Sequence, residues 1–151
     1  MDYQEIDNGI SRIMKKWGVT AVRISFAVIF IWFGILKPFG LSAAEPLLKA
    51  TVAWMPFWDS ELWLGIIGWW EVVIGVTFLF KPTTRIAIGL LFLQMVGTYM
   101  PLVFLPHLTF QEGNLLLPTM EGQYIIKNLM IISAALVVGG TIHYSKNETA
   151  K

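Results

Sequence analysis

The sequence predicts an all-α integral membrane protein, a single four-helix bundle over residues 1–151 with both termini cytoplasmic. Three observations carry that prediction. Hydrophobic residues make up 56% of the chain and charged residues 14%, with a mean hydropathy of +0.64, whereas soluble domains carry roughly 25% charged residues. Four apolar runs each approach the roughly 20 residues that a helix needs to cross a bilayer. The basic residues cluster on alternate connections, as they do in chains that cross a membrane several times.

Helices are expected at about 19–39, 62–80, 86–105 and 124–143. The first run is fenced by Arg23 and Lys37, and the ten or so residues before it, with Asp2, Glu5 and Asp7, suggest a polar lead or a surface helix rather than a signal peptide. The second run, Leu62–Phe80, is apolar or glycine except for Glu71 at its midpoint and Thr77 near its end. Lys81-Pro82-Thr83-Thr84-Arg85 then makes a tight turn, in which Pro82 stops one helix and Thr84 is placed to cap the next. The third run holds Gln94 and, near its far end, Pro101; the fourth opens on Lys127 and Asn128.

The longer connections differ. Leu41–Glu61 contains Pro46 and Pro56, and with Trp54, Phe57, Trp58 and Trp63 around its end it reads as a segment at the membrane interface, where indole rings are half wet. Pro106–Gln123, with Gly113, Asn114, Pro118 and Gly122, reads as a loop folded back over the bundle. Arg12, Lys15, Lys16, Lys81, Arg85, Lys146 and Lys151 fall on one side of this plan and Lys49 on the other, which assigns both termini and the tight turn to the cytoplasm. No basic patch with interleaved aromatics remains, so nucleic acid is not an expected partner.

The chain has no cysteine, which removes thiol redox chemistry and iron–sulfur clusters. His107 and His143 fall on opposite sides of the membrane, so no metal site is expected. What remains is polar chemistry on helices. An ionised group near the bilayer centre costs at least about 2.5 kcal/mol and persists only when paired, protonated or hydrated, so Glu71 is the first functional candidate. Gly68 and Gly75 share its helix face, and small residues mark close helix contact in lipid. Lys37, Lys127, Asn128 and Gln94 reach similar depth, and Trp69 and Trp70 lie deeper than an interfacial belt requires. The expected ligand site is therefore Glu71, Lys127, Lys37, Asn128, Gln94 and Trp70, in the outer half of the bundle under the aromatic loop. The plainer alternative is that the lysines reach headgroups while Glu71 pairs with one of them to fix the packing.

Arg23-Ile24-Ser25-Phe26, Trp32-Phe33-Gly34-Ile35-Leu36-Lys37, Gly68-Trp69-Trp70-Glu71 and Tyr124-Ile125-Ile126-Lys127-Asn128-Leu129 resemble the DoxX-like superfamily of four-helix bacterial membrane proteins, nearest its YkgB-type branch. The resemblance covers about Ser11 to Gly140. It implies a bacterial inner membrane, a quinone or small oxidant nearby, and a redox association, since members include a subunit of a thiosulfate:quinone oxidoreductase. Lys37, Glu71, Lys127 and Asn128 are the polar positions it carries over; many relatives have an acid where this chain has Asn128. Fold alone does not decide whether the chain is itself catalytic. The expected function is an inner-membrane subunit that binds a small molecule, with a quinone headgroup as first choice and a partner membrane or redox protein, or a second copy, beside it. The alternatives are a small solute or ion transporter, or a structural anchor for a partner.

Overall fold

A computed structural model of the chain describes residues 3–148, with side chains through residue 142. Asp2 and Lys151 lie outside the described residues, as do the side chains of His143 and Lys146. Four helices are long and apolar enough to cross a membrane. They are α1 (Tyr3–Leu36), α3 (Ser60–Leu79), α4 (Thr84–Phe104) and α6 (Met120–Glu148), joined by the short helices α2 (Glu45–Val52) and α5 (Pro106–Thr109).

Helix α1 departs from the expected start at residue 19. It runs unbroken from Tyr3 because nothing between that residue and Val19 stops a helix: no proline occurs, and Gly9 and Gly18 weaken the helix by only about 1 kcal/mol each. Its far end closes where Pro38 removes a backbone donor and Gly40 takes φ +66°. Leu41 N–H then donates to Leu36 O at 2.9 Å and Gly40 N–H to Lys37 O at 3.1 Å, the paired bonds of a Schellman cap. Lys37 is thus fixed at the very end of the helix rather than inside it.

Helix α3 starts two residues earlier than expected because Asp59 caps it, its carboxylate accepting from Leu62 N–H at 2.8 Å. The turn to α4 is a single 3-10 turn, Lys81–Thr83. Thr84 does not cap α4. Its hydroxyl donates back to Phe80 O at 3.3 Å, while the Thr83 hydroxyl donates to Thr77 O at 2.7 Å, so both threonines satisfy carbonyls of the helix just ended.

The bundle is a ring in which α1 packs on α3, α3 on α4, α4 on α6, and α6 back on α1. Contact between α1 and α3 is the most extensive, and small residues make it so. A Cβ on Gly68 would stand 2.6 Å from Pro38 Cδ and 2.7 Å from Gly34 O, and one on Gly75 would stand 2.9 Å from Ala27 O. In the half that carries the tight turn, Phe26, Phe30, Ile74, Phe78, Leu91 and Ala135 form a buried apolar core. In the other half α2 leans on α3 and α4, tied down by Lys49, which pairs with Glu45 at 2.7 Å and with Glu61. Hydrogen bonds to Glu45 and then Glu61 hold the Lys49 ammonium above the ordinary lysine range.

Arg23 lies on the core side of α1 and is buried. Its guanidinium donates to Phe78 O at 2.9 Å and Leu79 O at 3.1 Å, so it closes the carboxyl end of α3, where a cation also meets the negative end of the helix dipole.

Candidate functional site

The close approach of α1 and α3 decides which lysine meets Glu71. With Gly34 against Gly68, the end of α1 lies directly on the face of α3 that carries Glu71, and the Lys37 ammonium forms an ion pair with Glu71 Oε2. Both side chains are nearly buried, at 8% and 13% exposure. Lys37 also reaches Phe33 O at 3.4 Å. From α4, Gln94 Nε2 donates to the other Glu71 oxygen at 2.9 Å, so both carboxylate oxygens are engaged. Thr98, one turn further along α4, donates its hydroxyl to Gln94 O at 3.1 Å. A buried charge is tolerated only when it is paired and its remaining lone pairs are satisfied, and this triad meets that condition from three helices.

Asn128 completes the polar cluster from α6, where it shares the inward face with Ile125 and Ala135. Lys127 does not join it. One residue along a helix turns the side chain by about 100°, which leaves Lys127 exposed with its ammonium 5.1 Å above the Tyr124 ring. The structure therefore brings together Lys37, Glu71, Gln94 and Asn128 and leaves Lys127 outside. Trp70 and Trp69 separate for the same reason. Trp70 faces inward and donates its indole N–H to Leu90 O at 3.3 Å, whereas Trp69 is 56% exposed on the outside of the bundle.

The cluster forms one wall of a cavity of about 1070 Å³ between α1, α3, α4 and α6, with α2 over it. That volume is at the top of the roughly 300–1,000 Å³ typical of small-molecule sites. Its lining is mostly apolar and includes Phe33, Trp63, Trp70 and Tyr124. Trp63 contributes a feature that helix periodicity gives no sign of: its indole N–H is buried with no hydrogen-bond partner among the described residues. A buried donor left unpaired costs about 1–3 kcal/mol. That indole N–H is closed to the cavity, whereas the Asn128 amide lines it and makes no hydrogen bond among the described residues, so the cavity offers one free amide beside a neutralised ion pair. Leu93 and Gly97, midway along α4, line the cavity and are exposed at bilayer depth.

A second cavity of about 150 Å³ lies one turn deeper, reaching Phe30, Met95 and Ile131 and sharing Lys37, Glu71, Gln94 and Asn128 with the first. Below it the apolar core fills the bundle. Among the described residues no three of His, Asp and Glu come together as metal ligands do. In comparisons with known proteins, no protein-family model, no curated protein and no solved structure matches the chain.

Proposed function

We propose that this chain is a multi-pass protein of the bacterial inner membrane, of the DoxX-like type, with both termini cytoplasmic. Its cavity binds an amphipathic molecule whose polar head carries carbonyl oxygens, a quinone headgroup being first choice, and the chain acts as a redox-associated membrane subunit. The observation that carries this reading is a mostly apolar cavity of about 1070 Å³ whose wall also holds the Lys37–Glu71–Gln94 triad and the free Asn128 amide. Because the triad neutralises itself, the site supplies hydrogen-bond donors without net charge, and a neutral head with acceptor oxygens suits it better than an ion. The large apolar lining leaves room for part of a hydrocarbon tail, and the exposed positions of Leu93 and Gly97 favour entry from the bilayer.

The transporter reading has one observation in its favour, the smaller cavity continuing past the ion pair. Against it stands the apolar core that fills the half carrying the tight turn. A thermal-shift series in detergent with short-chain quinone analogues tests the proposal. Binding stabilises the folded state by an amount set by ligand concentration over the dissociation constant. The shift should persist in Lys127→Met, shrink in Trp63→Ala, which removes an aromatic part of the wall, and vanish in Asn128→Leu. An equal shift in all three proteins would place the ligand elsewhere.

A further inference from the structure

We propose that the amino-terminal segment of α1, residues 3–17, is an interfacial helix that lies on the membrane surface bearing the amino terminus, its apolar stripe seated among the lipid headgroups. Helix α1 has 34 residues, about 51 Å at 1.5 Å per residue, whereas the hydrocarbon core is about 30 Å thick. The excess is not uniformly polar. Tyr3, Ile6, Ile10, Ile13, Met14 and Trp17 are all exposed, Ile10 at 52% and Trp17 at 57%, and at about 100° per residue they fall within an arc of about 100°. Arg12, Lys15 and Lys16 lie on the opposite side, the division expected of a helix that rests in a bilayer surface.

The phase of the stripe points to lipid rather than to the bundle. Continued along α1 it coincides with Ile24, Val28 and Ile35, the exposed, lipid-facing row of the membrane-crossing part, and it faces away from Arg23, Phe26 and Phe30 on the bundle side. When such a helix bends outward from its bundle, the lipid-facing row turns toward the membrane plane and the opposite row toward water. Gly18 sits at the junction, with nothing within 4 Å of where a Cβ would be and with the weakest helix preference short of proline. A bend there therefore meets neither a packed neighbour nor a strong helix former. Trp17, with the Lys16 ammonium 5.6 Å from its ring, marks the level of the headgroups.

The chain has no cysteine, so single nitroxide labels can be placed by Ile10→Cys, Ile13→Cys, Arg12→Cys and Lys15→Cys in the full-length protein. In vesicles of phosphatidylcholine and phosphatidylglycerol, labels at 10 and 13 should show a ratio of oxygen to aqueous nickel accessibility several-fold higher than labels at 12 and 15. Equal nickel accessibility at all four sites would mean a rod standing in water and would overturn the proposal. Shielding of sites 10 and 13 from both reagents, with spin–spin broadening that fades on dilution with unlabelled protein, would overturn it in favour of pairing between two copies.

Discussion

Glu71→Ala is the most informative single change in the bundle, because the structure shows what it leaves behind. The Lys37 ammonium would keep its nearly buried position with only Phe33 O for a partner, and the Gln94 amide would lose its acceptor. Removing one member of a buried ion pair typically costs about 3–5 kcal/mol, mostly the penalty of the stranded charge. Glu71→Gln keeps an oxygen for Lys37 or Gln94 and should cost roughly half as much. Lys37→Met alone strands the carboxylate and should resemble Glu71→Ala. The double variant Lys37→Met/Glu71→Ala removes both charges and so leaves neither of them stranded. Its loss should fall well below the sum of the singles, giving a coupling energy of several kcal/mol in a double-mutant cycle. Reversible unfolding in mixed micelles measures all four proteins. Losses that simply add, or a Glu71→Ala loss below about 1 kcal/mol, would mean that the carboxylate is already solvated and that no buried pair exists.

Three further outcomes follow from the packing. Gly68→Ala should destabilise by about 1–3 kcal/mol or more, since its Cβ would meet Pro38 and the Gly34 carbonyl, whereas Gly89→Ala, which opens onto free space, should be tolerated; the same unfolding assay separates them. Arg23→Lys should fail to restore the stability lost in Arg23→Met, because the lysine ammonium stands one bond nearer the backbone than the Nη2 atom that donates to both Phe78 O and Leu79 O. Single-cysteine tags at Tyr3 and Thr149 should react from one side of the membrane and tags at Asp59 and Gly113 from the other, and opposite labelling of the two ends would end the four-crossing account.

The contribution of Lys49 to seating α2 has a defined pH window. Its folded-state value is raised, so the contribution is fully present below the ordinary lysine value of 10.5 and is lost as the pH rises through the raised one. Hydrogen exchange in α2, compared with that in Lys49→Met at the same pH, should show a difference that disappears only above that window.

Much of this site is legible in the sequence because helix periodicity is strict. Gly68, Glu71 and Gly75 share a face by spacing alone, and that face is the one that meets α1. The inward positions of Gln94 and Asn128 follow from the same rule. The same rule, applied residue by residue, separates Lys127 from Asn128 and Trp69 from Trp70, and the expectation that Lys127 joins the site overlooks that step of about 100°. Periodicity says nothing about helix ends. The Schellman cap that delivers Lys37 to Glu71 depends on Pro38 and Gly40, and the closure of α3 by Arg23 depends on how two helices are staggered. Arg23 fences the first apolar run in the sequence and is a buried cap of α3 in the structure. The unpaired N–H of Trp63 belongs to tertiary structure altogether, since an interfacial tryptophan reads the same in sequence whether its indole is wet or buried.

On the proposed function, the cavity beside the Lys37–Glu71 pair receives the polar head of an amphipathic molecule. Photo-crosslinking with a quinone analogue that carries its reactive group on the ring tests it most directly, with the labelled peptides identified by mass spectrometry. Labelling should fall on the cavity wall, at Trp63–Trp70, Leu93–Pro101 and Tyr124–Asn128, and should be competed away by unlabelled analogue. Saturable labelling confined to the lipid-facing surface, at Leu136, Val137 or Ile24, would contradict the account.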